Sequence, residues 1–232
     1  MIALMLAVIV NFFILIAKFS YKPNIVFYDE VIKKIGRFSF ANYVAGFIWG
    51  LPAMLLPLMI TTFMHPETTA YYYMAMMIAS VLFIIPQATT QSLFAEGSYK
   101  EDNLKHQIWK SIRIMFLIAI PAIIVIYFAG TYILHVFGVE YSNQGTALLQ
   151  LLAISTIFVA FNSLLGSYYK VKNRMKIIIV SSIVLALVTL ALSYWFIVTG
   201  QGLAGIGYAW IIGQACSLCY YLGGLPFGRK KS

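Results

Sequence analysis

Seven apolar runs, at roughly 2–17, 38–64, 70–95, 112–134, 146–168, 177–199 and 203–222, decide what this chain of 232 residues can fold into. A helix rises about 1.5 Å per residue, so about 20 residues cross the hydrocarbon core of a bilayer. The runs are continuous, without the alternation that a membrane β-strand needs, so a barrel is excluded. With 62% hydrophobic and only 10% charged residues, the composition is not that of a soluble domain. The reading is all-α: a polytopic membrane helix bundle of about seven transmembrane helices, one helix followed by a six-helix lobe.

Charge supplies the orientation. All 16 Lys and Arg fall in four patches, Lys18 to Arg37, Lys100 to Arg113, Lys170 to Lys176 and Arg229 to Lys231. The turns at 65–69, 135–145 and 200–202 carry none. Seven crossings place all four patches on one face, and positive charge retained in the cytoplasm makes that face the inner one. The expectation is a multi-pass protein of the cell membrane with a cytoplasmic C-terminus. The net charge of +9 is thus a topology signal with some attraction to anionic headgroups, and it carries no case for nucleic acid.

Four segments follow. Residues 1–17 are a lone transmembrane helix; its basic residue comes after the apolar run, the reverse of a secretory signal. Residues 18–37 are a cytoplasmic amphipathic linker. Between Asn24 and Arg37, Ile25, Val31, Ile32 and Ile35 recur at helical spacing, and Asp29 and Glu30 precede Lys33 and Lys34 by four. Residues 38–226 form a six-helix lobe and 227–232 a basic tail. After Glu96, Ser98 to Glu101 has capping-box spacing and predicts a short connector helix. Tyr71, Tyr72 and Tyr73 read as an interfacial aromatic belt.

Five of the amides inside the apolar runs stand out: Asn42, Gln87, Gln91, Asn162 and Gln214. Ser80, Gln87 and Gln91 share a stripe at i, i+7 and i+11; Ser155, Asn162, Gly166 and Tyr169 share another, and Gly207, Gln214, Ser217 and Tyr221 a third. A polar group in a bilayer is costly unless it meets another polar group or water. The amides therefore either line one solvated interior space or hydrogen-bond helix to helix. Ser39, Asn42, Gly46 and Gly50 form a small, polar face that serves as packing groove or substrate wall, and Gly205, Ala209 and Gly213 make a close-packing face. Pro52, Pro57 and Pro86 are candidate hinges, since each removes a backbone donor within a helix.

The seven acids all fall in loops or at helix ends. No acid/base pair, nucleophile cluster or buried carboxylate is visible, so the chain does not read as an enzyme or a proton-driven antiporter. His65 and His135 have no Cys or carboxylate cluster beside them, and no metal or other cofactor is expected. Cys216 and Cys219 read as small hydrophobes on one buried side of the last helix. What remains is passage of a large polar solute, or a scaffolding role.

Three stretches, Ile84-Ile-Pro-Gln-Ala-Thr-Thr-Gln-Ser-Leu-Phe-Ala-Glu-Gly-Ser98, Tyr168-Tyr-Lys-Val-Lys-Asn-Arg-Met-Lys176 and Gly202-Leu-Ala-Gly-Ile-Gly-Tyr-Ala-Trp-Ile-Ile-Gly-Gln214, carry a resemblance over roughly residues 30–226. They resemble the C-terminal half of polysaccharide biosynthesis flippases of the multidrug/oligosaccharidyl-lipid/polysaccharide exporter superfamily. The resemblance implies two six-helix lobes around a cavity that opens alternately to either side and carries a lipid-linked sugar across the membrane. This chain then holds the last helix of a first lobe, the linker and the second lobe, and the facing wall comes from a missing N-terminal lobe or a partner subunit. Arg37 and Lys110 are the cations expected to attract a substrate diphosphate, and Asn42, Gln87, Gln91 and Asn162 the groups expected to meet sugar hydroxyls. Two alternatives stay open: a non-transporting subunit or truncated remnant that associates with a partner, and half of a multidrug exporter.

Overall fold

The computed structural model describes residues 6, 29–99 and 104–225. Six helices follow one another: α1 (Asp29–Phe63), α2 (Pro66–Tyr99), α3 (Leu104–His135), α4 (Val139–Val171), α5 (Met175–Val198) and α6 (Gly202–Gly223). All six are long and apolar enough to cross a membrane, so among the described residues the protein is a polytopic helical bundle. Most of the expected first span, residues 18–28 of the linker, Lys100 to Asn103 and the basic tail lie outside them; Ser98 and Tyr99, expected to open a connector helix, are instead the last residues of α2.

Hydropathy located the spans but not their ends. The run expected at 38–64 belongs to a helix that starts at Asp29, and the one expected at 146–168 to a helix of 33 residues, Val139–Val171. Helical backbone satisfies its own hydrogen bonds wherever it runs, so it continues past the apolar stretch until a breaker stops it. Residues 29–37, expected within an amphipathic linker, are the opening turns of α1. α1 stops before Pro66, which cannot continue a helix but suits the first position of the next. The α5–α6 turn is closed by Gly200, at φ 78°, whose N–H bonds Ile197 O at 3.1 Å. The α4–α5 turn uses Asn173 at φ 52°, a conformation that Asn tolerates better than most residues.

The chain divides between Arg37 and Phe38 into two compact units, and the second, Phe38–Ser232, holds the bundle. α4 is its central helix, packed along α2, α3 and α6 and more lightly against α5, and α5 lies along α6. Gly205, Ala209 and Gly213 are buried, and the expected close-packing face is realised against α5. A Cβ on Gly205 would lie 2.6 Å from Phe196 Cβ, and one on Gly213 would collide with Thr189 Oγ1. The main apolar core includes Leu56, Ile60, Leu134, Leu148 and Leu152, towards the 63–66, 135–139 and 198–202 turns; a smaller one surrounds Tyr169, Met175 and Tyr221 at the other end. Ile120, Ile124, Phe128 and Tyr132 of α3 are exposed, as a lipid-facing surface requires.

Four side chains depart from expectation. Tyr72 is 2% exposed and belongs to the apolar core, so of the three tyrosines Tyr73 is open to an aromatic belt and Tyr71 is half-buried. Cys219 is exposed and Cys216 half-exposed, because the buried stripe of α6 runs through Trp210, Gln214, Ser217 and Tyr221 and the cysteines lie to its side. Ser80 is exposed and donates to Met77 O at 2.6 Å, apart from Gln87 and Gln91.

Candidate functional site

α1, α2, α4, α5 and α6 line an open-sided cavity of about 410 Å3, a size typical of small-molecule sites. Its walls come from one half of the bundle, the half nearest the 171–175 turn: Phe38 to Trp49, Gln87 to Phe94, Val159 to Lys170, Ile178 to Ser182 and Gln214 to Tyr221. Arg113, Lys170, Arg174 and Lys176 belong to the same end, which we call the basic end.

Asn42, Gln87, Gln91, Asn162 and Gln214, from four helices, all line this one cavity. Their spacing explains how. Gln87 and Gln91 are one helical turn apart, as are Asn42 and Gly46, and each pair sits on a single face. Gly46 leaves the space above its backbone open, with nothing within 4 Å of where a Cβ would be. Of the small face on α1, Asn42 and Gly46 line the cavity, and Ser39 and Gly50 do not.

The five amides divide into two kinds. Asn162 Nδ2 donates to Gln214 Oε1 at 2.7 Å and to Gln214 O at 2.9 Å, tying α4 to α6. Asn42, Gln87 and Gln91 have no hydrogen-bond partner among the described residues. The pair joins helix to helix at the end of the cavity farthest from Lys170, and the other three lie on its α1 and α2 walls. Further polar ties surround the cavity: Ser167 Oγ to Thr90 O at 2.9 Å, Tyr169 Oη to Tyr221 O at 2.8 Å, and the Ser181 and Ser217 hydroxyls to each other at 2.6 Å. In apolar surroundings each such bond contributes about 0.6 kcal/mol, up to about 2.

Lys170 is the charged residue that lines the cavity. No acid pairs with it among the described residues. Sequence reading had absorbed it into a topology patch, and the signal that singles it out is its place on the Asn162, Gly166 and Ser167 side of α4. Lys110 is exposed on α3 and does not line the cavity, and Arg37 is exposed on α1 just outside the bundle's unit. Pro52 and Pro57 are buried within α1, beyond the cavity, and Pro86 is buried within α2 beside Gln87. Thr90 Oγ1 donates to Pro86 O at 2.8 Å. No group of three or more His, Cys, Asp or Glu gathers among the described residues.

Residues 1–144 match the model of a family described as polysaccharide biosynthesis protein, and residues 94–195 match the MatE model. The first match covers more than half of the chain, and the chain belongs to that family of polysaccharide and MOP-type exporters. Such families are transporters, not enzymes. No curated protein and no solved structure matches the chain.

Proposed function

We propose that the chain is half of a flippase that moves a lipid-linked oligosaccharide, or a polysaccharide precursor of that type, across the cell membrane by alternating access. The observation that carries this reading is the single cavity into which four apolar helices turn five amides. A hydrophobic solute needs no such lining, whereas a saccharide needs many hydrogen-bond partners once it leaves water.

The residues divide the work. Asn42, Gln87 and Gln91 offer free donors and acceptors to sugar hydroxyls. Lys170 offers a cation to the diphosphate of a lipid carrier, at the end of the cavity where that headgroup enters. Arg37 and Lys110 take the lesser part of holding the cytoplasmic ends against anionic lipid. The basic end and the C-terminus are cytoplasmic on this reading. A first lobe, in the same protein or in a partner, supplies the facing wall. Bending at Pro52, Pro57 and Pro86 lets the two walls rock.

The test is the double variant Gln87→Leu with Gln91→Leu in the native assembly, scored by delivery of the lipid-linked saccharide to the far leaflet. Loss of two uncharged hydrogen bonds lowers the rate by about tenfold or more. Delivery at the native rate would overturn the assignment.

A further inference from the structure

The polar lining does not end where the cavity does. On α5, Ser182 lines the cavity, and Thr189 and Ser193 follow it at i+7 and i+11 on the same face. On α6, Trp210 stands one turn before the cavity-lining Gln214. The two stripes run side by side, because Gly213 admits Thr189 Oγ1 into the space that a Cβ would fill. They lead from the deep end of the cavity towards the 198–202 turn.

Polar atoms on this seam are unsatisfied. Thr189 Oγ1, Ser193 Oγ and Trp210 Nε1 are buried with no hydrogen-bond partner, as is Asn162 Oδ1 at the foot of the seam. Thr189 and Ser193 are 0% exposed and Trp210 is 6% exposed. The missing bonds are telling, since a helical hydroxyl can always turn to a carbonyl of the preceding turn. Thr61, Thr90, Thr146 and Ser155 do so, at 2.6–2.8 Å; Thr189 and Ser193 do not. Each buried polar group left unpaired calls for an explanation, and a second state of the bundle in which it finds a partner supplies one.

Building on the flippase reading above, we propose that Thr189, Ser193 and Trp210 form a second contact set for the saccharide, reached when the bundle opens at the end opposite the basic one. Hydroxyls that both donate and accept, beside an indole that offers an N–H and a ring face, suit a hydroxyl-rich ligand. Trp210 is held meanwhile by stacking on Phe83 at 6.3 Å, a contact between α6 and α2 that must part for the seam to open.

Cysteine accessibility tests this. In the full assembly carrying Cys216→Ala and Cys219→Ala, Ser193→Cys and Thr189→Cys are exposed in intact cells to a membrane-impermeant maleimide. Leu148→Cys, from a core position with 0% exposure, sets the background. Both seam positions are expected to label at least about fivefold faster than that background, because opening populates a second state. Labelling no faster than Leu148→Cys overturns the inference. Should the Cys variants fail to accumulate, Thr189→Val decides. It keeps the shape, and saccharide delivery is expected to fall roughly tenfold at an unchanged or raised melting temperature, whereas unchanged delivery overturns the inference. Labelling reads access without reference to the substrate. A closed seam therefore refutes this inference while the Gln87 and Gln91 result still stands for the flippase.

Discussion

The two ends of the same bundle treat polar atoms differently. Around the cavity, polar side chains are tied between helices, as Asn162 is to Gln214, Ser167 to Thr90 and Ser181 to Ser217, or they face open space. Towards the opposite end, Leu56, Ile60, Leu134 and Leu148 are fully buried, and Tyr72, Ser193 and Trp210 keep polar atoms with no partner among them. Each unpartnered atom costs about 1–3 kcal/mol relative to a satisfied one. The basic half keeps one such atom, Asn162 Oδ1 at its boundary with the seam, and the other four lie beyond the cavity, so most of the cost falls on the opposite half.

The comparison is broken most forcefully at the α5–α6 seam. Gly213→Val drives a side chain into Thr189 and is expected to destabilise the bundle by about 3 kcal/mol, read as a fall in melting temperature and in accumulation in the membrane. At the basic half the largest effect is functional. Lys170→Ala is expected to lower saccharide delivery by about 10- to 100-fold, the loss of one charge-assisted bond, with the melting temperature unchanged, while Lys110→Ala leaves delivery within about twofold. A Lys170→Ala protein that delivers normally would remove the cation from the site.

The Asn162–Gln214 tie gives an intermediate effect. Asn162→Leu alone leaves Gln214 unpaired and is expected to cost about 1–2 kcal/mol; with Gln214→Leu added, most of that returns. A double-mutant cycle by thermal unfolding in detergent should give a coupling of about 0.6–1.7 kcal/mol. Zero coupling would mean that the tie is no part of the basic half's stability. The smallest effect is expected on the exposed side of α6, where Cys219→Ser should shift stability by less than about 0.5 kcal/mol. A larger shift would show that this face is covered in the native assembly.

The fold class was legible because a continuous apolar run of about 20 residues has few ways to exist. The amides were legible for a related reason: Asn42, Gln87, Gln91, Asn162 and Gln214 are conspicuous against apolar neighbours, and helical spacing put them on definable faces. Helix ends were not, since α1 and α4 continue into polar residues that hydropathy cannot distinguish from loop. Lys170 was hidden by its own charge, because a cation near a helix end already reads as a topology signal. Tyr72 and Cys219 were misplaced because adjacent residues on a helix point about 100° apart, and sequence does not say which side of a stripe a neighbour covers. The orphaned hydroxyls of Thr189 and Ser193 had no signal at all. Ser and Thr are unremarkable in membrane helices, and only packing shows that the usual bond to the preceding turn is not made.

The unequal lengths of the helices have a mechanical meaning. α5 and α6, at 24 and 22 residues, reach about 36 and 33 Å and fit an average hydrocarbon layer of about 30 Å nearly upright, whereas the 33 residues of α4 reach about 50 Å. α4 must lean or project where its short neighbours stand straight, and the lean changes with the thickness of the lipid around it. Since α4 and α6 are joined through Asn162 and Gln214, lipid thickness is expected to act on the angle between them.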